Sequence, residues 1–376
     1  MLLQLASMTA ASFPPLDFGA RVSRLRASIG EAACGALLVS SLANVRYLTG
    51  FSGSAGMVLV RPDDAVLVTD GRYATQAVGE AANAPVTVEA LPAAKQPGLL
   101  ADLLAVLPPG KRRLGLEADH VSWGTMRRWS ETWAKGAELV PTTGLVEGQR
   151  ERKGPAELAR LAGAAAVGDE ALGRVLRLIE EGTTETELAL SLEAEMRRLG
   201  AEGPAFPTIV ASGPRGAEPH HRPGAGEILP GELVTIDFGA RVDGYCSDCT
   251  RTLTAGGDRR LAGELRRIYD VVLASQDAGL SAVQEGVAAW EVDRACREVV
   301  EAAGMGEFFV HGTGHGVGLE VHEAPGLNAT SRDVLAAGQV VTVEPGVYVP
   351  GLGGARTEDT VVVLETGCEL LTLAPK

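Results

Sequence analysis

The sequence lacks a long apolar run. None approaches the roughly 20 consecutive apolar residues that a membrane-spanning helix needs. The first 20 residues are apolar and small, but no Lys or Arg precedes them, whereas a signal peptide begins with basic residues. We therefore expect no membrane partner, and we expect residues 1–20 to be a poorly ordered leader with Met8 as an alternative start.

Cysteine and basic side chains are also scarce. Five cysteines in 376 residues are a small, odd set, which excludes a disulfide framework and favours a reducing, cytoplasmic location. Lys and Arg number 34 against 48 Asp and Glu, which gives a formal net charge of −14. A nucleic acid or an anionic membrane would need a basic face, so neither is expected as a partner.

The length and the hydrophobic patterning indicate two domains. Residues 21–148 predict a small α/β domain, and the polar segment 147–154 interrupts the pattern, so the boundary is placed between 145 and 155. The elements predicted in the first domain are helices over 21–29 and 97–107, strands over 35–40 and 113–117, and a hairpin of 57–60 with 64–69.

The order helix, helix, hairpin occurs twice in residues 149–376. Thr184 and Glu187 form a capping-box pattern that opens the second helix. The repeat is one of architecture rather than of sequence, and it predicts an α/β fold of the α+β type. The predicted helices cover 155–181, 184–199, 264–283 and 288–303, and the predicted strands cover 208–212, 233–239, 245–253, 339–348 and 357–364.

Both predicted hairpins carry carboxylates among apolar residues. Asp237 lies in the first hairpin, and Asp248 follows beyond turn residues Asp243 and Gly244. With the turn there, the two carboxylates come within about two positions of facing each other, where Cβ atoms on one face are roughly 5 Å apart. Two buried anions at that distance repel, so one must hold a proton or a cation must lie between them.

The second hairpin repeats this arrangement with Glu344 and Glu358. A single carboxylate in a strand is usually an edge residue, but four in two matching hairpins indicate a site. With one imidazole they suit Mn²⁺, Co²⁺ or Fe²⁺, and catalytic Zn²⁺ is an alternative. Four acids exceed what a single divalent ion needs, so we expect two ions, about 3.5–4 Å apart, that polarise a carbonyl for hydrolysis.

The stretch from His311 to Glu323 contains three of the six histidines. His311 and His315 have the spacing of an HExxH helix, but four glycines disfavour a helix there and Gly312 replaces the Glu. Cys246 and Cys249 form a CxxC without a second CxxC or a βαβ pattern, and residues three apart in a strand point to opposite faces. We therefore expect no function for the cysteine pair.

Five of these residues resemble, in type and order, the metal ligands of the pita-bread metallopeptidases, the group of methionine aminopeptidase, aminopeptidase P and prolidase: Asp237, Asp248, His315, Glu344 and Glu358. Residues 149–376 resemble the catalytic domain of that group. Residues 21–148, with their segments 44–51 and 69–73, resemble the creatinase-type N-terminal domain, which methionine aminopeptidases lack. The resemblance implies a pita-bread domain with a pseudo-twofold helix–helix–hairpin repeat, preceded by a smaller α/β domain.

The resemblance also implies a role for each ligand. Asp237 would bind one ion, and His315 with Glu344 would bind the other. Asp248 and Glu358 would bridge the two ions. Glu344 would in addition accept the proton of the attacking water.

Four further residues match positions near substrate and metals in that group. His220 would orient the scissile peptide, and His311 would lie at the substrate side of the ligands. His322 would donate to the developing oxyanion, and Arg356 would brace the carboxylates. His221 is interpreted as an additional surface histidine.

The implied activity is hydrolysis of the bond that precedes proline in Xaa-Pro dipeptides, and aminopeptidase P activity on longer peptides is the near alternative. A proline imide has no N–H, so a site that holds the carbonyl by metals and the ring in an apolar pocket suits this bond. Creatinase, a metal-free amidinohydrolase, and non-catalytic pita-bread modules are remoter alternatives, and both would require lost ligand positions. The resemblance also implies a homodimer whose N-terminal domain helps to close the partner's site.

Overall fold

The fold comes from a computed structural model that describes residues 13–108, 110, 112–180, 183–257, 261 and 263–376. Residues 1–12, most of the predicted leader, lie outside the described residues. Contacts divide the described residues into two compact units, Leu16–Arg150 and Glu151–Lys376, the second of which also includes residues 13–15. No helix in the described part of the chain combines the length and the apolar character needed to cross a membrane.

The Leu16–Arg150 unit is organised around one sheet. Its elements are α1 (Phe18–Glu31), β1 (Ala36–Val39), α2 (Leu42–Thr49), β2 (Gly56–Val60), β3 (Ala65–Thr69), α3 (Ala74–Glu80), β4 (Thr87–Ala90), α4 (Gln96–Ala105), β5 (Arg113–Glu117), α5 (Trp123–Glu131) and β6 (Glu138–Thr142). The strand order is β4–β3–β2–β1–β5–β6, and the predicted hairpin of β2 and β3 is confirmed. Helix α1 begins earlier than predicted because Asp17 caps it by accepting the Ala20 N–H at 2.8 Å.

The polar segment around residue 150 forms a short helix, α6 (Glu147–Glu151), where none is predicted. The elements that follow are α7 (Pro155–Glu180), α8 (Glu185–Arg198), β7 (Gly203–Pro204), β8 (Ile209–Ser212), β9 (Leu233–Phe238), β10 (Ala240–Val242), β11 (Tyr245–Cys246), β12 (Cys249–Thr254), α9 (Gly263–Ala282), α10 (Ala289–Ala302), β13 (Gly314–Gly316), β14 (Glu323–Leu327), β15 (Val340–Val343), β16 (Gly346–Val349), β17 (Gly353–Arg356), β18 (Asp359–Val363) and β19 (Cys368–Leu370).

A helix pair precedes antiparallel strands twice, so the predicted architectural repeat is confirmed. Helices α7 and α8 precede the sheet β12–β9–β8, and α9 and α10 precede the sheet β14–β13–β15–β18–β19. Each half has its own apolar core. The first core includes Leu192 and Ile236, and the second includes Val272 and Val361.

The single strand predicted over 245–253 is wrong. Strand β11 pairs with β10, whereas β12 begins at Cys249 and pairs with β9 in another sheet. Ser247 makes the crossing because its N–H donates to the Ala240 carbonyl at 2.8 Å and its Oγ accepts the Ala240 N–H at 2.9 Å. Asp248 therefore lies at a break between two strands. The turn predicted before it is confirmed, since Asp243 and Gly244 both have positive φ.

The strand predicted over 339–348 is interrupted as well. Strand β15 ends at Val343, and β16 begins at Gly346 in a different sheet. Pro345 lies at the interruption, where its missing N–H prevents continued pairing. Glu344 thus occupies the same kind of position as Asp248, at a strand end where the side chain leaves the regular ladder.

Candidate metal centre

The two carboxylate hairpins meet edge to edge. Strand β12 pairs with β9 so that Thr250 faces Asp237, and β18 pairs with β15 so that Asp359 faces Val343. The Glu358 N–H donates to the Thr250 carbonyl at 3.0 Å, which joins the hairpin of the first half to that of the second. The carboxylates of both hairpins are thereby brought to one place.

Three of the predicted ligands form a compact group. One ligand atom each of Asp248, His315 and Glu358 lies within 4.8 Å of the others. The Nε2 atom of His315 is 3.6 Å from Asp248 Oδ2 and 3.3 Å from Glu344 Oε1. The other ring nitrogen, Nδ1, lies 3.1 Å from the Gly316 carbonyl oxygen, which orients Nε2 toward the carboxylates.

Arg356 holds the remaining carboxylate. Its Nη2 donates to Asp237 Oδ2 at 2.6 Å, and its Nε donates to Thr250 Oγ1 at 3.1 Å. Thr250 Oγ1 in turn donates to Glu358 Oε2 at 2.7 Å. Among the described residues, Asp237 Oδ1 and Glu358 Oε1 have no hydrogen-bond partner although both atoms are buried.

Burial and like charges act together on these carboxyl groups. Burial, then the charges of Glu358 and Asp237, raise the pKa of Asp248 well above its ordinary value. Burial and the Glu344 charge likewise raise the pKa of Glu358. Burial also opposes ionisation of Glu344, but the hydrogen bond and charge of His315 outweigh it and lower the pKa of Glu344. A divalent cation among these oxygens would relieve the repulsion, so the donor set fits a metal.

The glycines of the histidine stretch permit close backbone packing. A Cβ at Gly314 would lie 2.0 Å from the Thr342 carbonyl oxygen, and a Cβ at Gly316 would lie 2.2 Å from the Ala324 carbonyl oxygen. Any other residue would therefore displace β13 from its neighbours. This packing fixes His315, which lies between the two glycines.

The other two histidines of the stretch, His311 and His322, have different neighbours. His311 Nδ1 is 2.7 Å from the Gly312 carbonyl oxygen and must carry a proton there, so Nε2 accepts from the Tyr348 hydroxyl at 2.8 Å. The His322 ring packs edge-on against His315 with 4.3 Å between ring centroids.

One cavity of about 810 Å³ collects all the predicted site residues. Phe206 and Ile209 supply apolar wall, and Asn328 and Thr330 supply polar wall. The predicted residues that line it are His220, Asp237, Asp248, His311, His315, His322, Glu344, Arg356 and Glu358.

Glu185 is a site-supporting residue that the sequence does not reveal. Its buried carboxylate accepts the N–H groups of Ser212 at 2.8 Å and Gly224 at 3.2 Å. It also contacts His221 Nε2 at 3.0 Å, and Glu218 contacts the other ring nitrogen. The expectation that His221 is a surface histidine is therefore wrong, because the ring is largely buried between two acids. In the sequence Glu185 resembles any acid in the first turn of a helix.

The CxxC cysteines lie apart. Cys246 Sγ contacts the Leu319 carbonyl oxygen at 3.7 Å, and Cys249 Sγ contacts the Glu358 carbonyl oxygen at 3.8 Å. Burial raises the pKa of Cys246 to about 11 and that of Cys249 well above its ordinary value. The two thiols are therefore protonated and directed at different carbonyls, which is the behaviour of packing residues.

The fold and the carboxylate–histidine site together define a metallopeptidase of the pita-bread class. The chain belongs to metallopeptidase family M24: the model of that family matches residues 159–365, and the model of the creatinase/prolidase N-terminal domain matches residues 21–152. These matches confirm the resemblance, the fold class and the enzyme class predicted from the sequence.

Relatives and solved structures agree over nearly the whole chain. The uncharacterized peptidase YqhT of Bacillus subtilis (strain 168) is 39% identical over 95% of this chain and 98% of its own. The Xaa-Pro dipeptidase from Bacillus anthracis has a TM-score of 0.89 and 39% identity, over 96% of this chain and 98% of that one. The X-Pro aminopeptidase from Thermotoga maritima MSB8 has a TM-score of 0.85 and 34% identity, over 94% and 98%.

Proposed function

We propose that this metallopeptidase hydrolyses the peptide bond that precedes proline in Xaa-Pro dipeptides with the help of two divalent ions. The observation that carries the proposal is the pair of buried, partnerless oxygens, Asp237 Oδ1 and Glu358 Oε1, in a cavity lined by two further acids and His315. Buried carboxylate oxygens are almost always bonded, so the cluster fits cations supplied from outside. The oxygen-rich donor set favours Mn²⁺, with Co²⁺, Fe²⁺ or Zn²⁺ as alternatives.

The proposed ligand roles follow the two hairpins. Asp237 would hold one ion, His315 and Glu344 would hold the other, and Asp248 and Glu358 would serve both. When bound, such ions polarise the scissile carbonyl and make water acidic enough to attack it near neutral pH. Glu344 would accept the proton of that water, a role that suits a carboxylate lining the same cavity as the other proposed ligands.

The surrounding side chains orient the substrate. His322 lies beside His315 and donates to the oxyanion that develops on the scissile carbonyl. His220 orients the peptide within the cavity. His311 lies on the substrate side, where its Nε2 is held by the Tyr348 hydroxyl at 2.8 Å. Arg356 braces Asp237, so that its carboxylate keeps one position during the reaction.

The substrate proposal rests on apolar wall and on relatives. Phe206, Pro207 and Ile209 line the same cavity as the ligands and suit a proline ring. The Bacillus anthracis structure is an Xaa-Pro dipeptidase. The Thermotoga maritima structure is an X-Pro aminopeptidase, which supports a second candidate function, removal of the first residue from longer Xaa-Pro peptides.

A metal-dependent substrate comparison tests the proposal. Purified enzyme is stripped with chelator, reloaded with Mn²⁺, and assayed on an Xaa-Pro dipeptide and on the matching Xaa-Pro-Xaa tripeptide. We expect cleavage of the dipeptide at higher kcat/KM than the tripeptide, loss with chelator and recovery with Mn²⁺. Higher kcat/KM for the tripeptide would establish the aminopeptidase instead, and activity unaffected by chelator with no metal bound would refute both.

We also propose roles for the two domains, an oligomeric state and a cellular location. We propose that residues 21–148 act as the creatinase-like domain and residues 149–376 as the catalytic domain. The protein is proposed to work as a cytoplasmic homodimer. Free thiols at all five cysteines support a reducing location.

A further inference from the structure

A dipeptide substrate carries a free carboxylate one residue beyond the scissile bond. The carboxylate carbon lies within about 4 Å of the scissile carbonyl carbon, so it enters the same part of the cavity as the reacting group. Two divalent ions would balance the charge of the four carboxylates in the cavity wall, so the substrate carboxylate, which loses water on binding, still lacks a cationic partner. A dipeptidase site therefore needs a positive group near the metal ligands.

Two arginines line the cavity, and one of them is already engaged. Arg356 donates to Asp237 at 2.6 Å, to the Tyr348 hydroxyl at 2.8 Å and to Thr250 at 3.1 Å. Arg222 is exposed to the cavity and makes no hydrogen bond or ion pair with any residue in the described ranges. A guanidinium group is a cation with five N–H donors, so Arg222 offers a positive charge and hydrogen bonds to the cavity.

The backbone that carries Arg222 is fixed on both sides. The Pro219 carbonyl accepts from Arg356 Nη1 at 3.3 Å, which ties the segment to the arginine that holds Asp237. His221 and Gly224 are both bonded to the buried Glu185 carboxylate, at 3.0 and 3.2 Å. An extended chain spans at most about 3.6 Å per residue, and Arg222 follows Pro219 by three residues. The Cα atoms of the two residues are therefore within about 11 Å of each other. A rigid backbone with a free, long cationic side chain is the arrangement of a ligand anchor.

We propose that Arg222 binds the C-terminal carboxylate of the dipeptide in a bidentate ion pair and thereby sets the preference for dipeptides. The planar guanidinium matches both oxygens of a carboxylate, which an ammonium group does not. This inference rests on the proposed Xaa-Pro dipeptidase function, which it deepens by naming the residue that selects a free carboxyl terminus.

The test compares an Xaa-Pro dipeptide with its C-terminal amide, which has the same scissile bond and no carboxylate. Arg222→Ala should raise KM for the dipeptide and lower kcat/KM about 10- to 100-fold, the range for a charged hydrogen-bonded contact. It should leave kcat/KM for the amide within about twofold. Arg222→Lys should keep more dipeptide activity than Arg222→Ala, because lysine supplies the charge but cannot bind both carboxylate oxygens in the bidentate geometry.

Arg294→Ala is the matched control, because Arg294 is a solvent-exposed arginine on α10 with surface partners only. Metal content is measured in every variant and should equal that of the wild type. Equal losses for dipeptide and amide, or no loss for either, overturn the role of Arg222 while leaving the dipeptidase function intact. A wild-type enzyme that cleaves no Xaa-Pro substrate overturns both proposals.

Discussion

Glu358 and Asp359 are consecutive carboxylates that are equally buried, at 1% exposure, yet have opposite surroundings. Asp359 is bonded on both oxygens: Oδ1 to Arg251 at 2.7 Å and Thr372 at 2.9 Å, and Oδ2 to Lys376 at 2.8 Å and Gln276 at 3.1 Å. Glu358 accepts one hydrogen bond, from Thr250, and its Oε1 has none. Neighbouring side chains at a strand point to opposite faces, so one acid faces the core and the other faces the cavity.

The contrast separates two kinds of buried charge. Asp359 has enough protein partners to replace the water it loses on burial, so its carboxylate stabilises the fold. Glu358 has too few, and two like charges lie close by, so its ionised form needs a cation from outside the chain. A buried acid with missing partners beside other acids is thus a mark of the site, and a fully bonded one is a mark of the fold.

The largest effect is expected at the site. Asp248→Ala should lower kcat/KM by about 10³-fold or more, because it removes a carboxylate proposed to contact both ions. The circular dichroism spectrum should match that of the wild type. Asp277→Ala, at an exposed aspartate on α9, is the control and should keep full activity. Near-wild-type turnover in Asp248→Ala would refute the proposed contact with both ions.

The next effect is on folding. Asp359→Ala should lower the free energy of unfolding by about 3–5 kcal/mol, because it leaves the buried Arg251 guanidinium without its anion. Denaturant titration measures the change. The double variant Arg251→Met, Asp359→Leu should recover part of the loss, since it removes both charges. A single variant as stable as the wild type would contradict the scaffold assignment.

Substitution of Glu358 should stabilise the metal-stripped protein, whereas substitution of Asp359 destabilises the fold. Glu358→Gln should raise the unfolding midpoint by a few degrees, because it removes a buried charge while keeping the acceptor for Thr250. The folded-state pKa of Glu358 is raised above its ordinary 4.5, so metal-free wild type should gain stability as pH falls from neutral toward that value.

Added metal should reverse the order of the unfolding midpoints of the wild type and Glu358→Gln. Added Mn²⁺ should raise the midpoint of the wild type and raise that of Glu358→Gln much less, as measured by differential scanning calorimetry. Equal responses of the two proteins would show that Glu358 does not contribute to metal binding.

The smallest effect is expected at Asp169, which is an exception to the rule that a buried acid without partners marks the site. Asp169 Oδ1 is also buried without a partner, but the described residues place no ligand cluster around it. Burial raises the pKa of Asp169 to about 6. The ionised carboxylate is therefore destabilising above that pH, and its share of instability disappears as pH falls from about 7 toward 4.

Asp169→Asn should accordingly raise the free energy of unfolding at pH 7 by about 1–3 kcal/mol and have little effect at pH 4. Urea titrations at the two pH values measure this difference. Activity should be unchanged, because Asp169 does not line the cavity. A gain at pH 4 as large as that at pH 7 would contradict the assigned cause.

Local signals made the helices predictable. Thr184 Oγ1 accepts the Glu187 N–H at 3.2 Å, and the Glu187 carboxylate accepts the Thr184 N–H at 2.9 Å, as the capping-box pattern predicts. The apolar run of β9 was likewise recognisable, whereas β12 was predicted only as part of a longer strand. Asp237 and Glu344 were detectable because each follows a run of apolar residues, and Asp248 and Glu358 because each lies on the returning side of a predicted hairpin.

The strand breaks and the supporting contacts depend on long-range structure. Nothing near Ser247 shows that its chain crosses between sheets, because the partner, Ala240, is chosen by the turn and by the second sheet. Glu185 and Asp359 look like ordinary acids in the sequence, because partners such as Ser212 and Arg251 lie 27 and 108 positions away from them. Arg222 differs from other surface arginines only in facing the cavity.

The proposed ligands are divided between the two halves of the repeat, each with its own apolar core. Asp237 and Asp248 belong to the first half, and His315, Glu344 and Glu358 belong to the second. Ion binding would therefore act as a removable crosslink across the seam between two cores. Loss of metal would then weaken the coupling between the halves, and the two cores would melt less cooperatively than in the loaded enzyme.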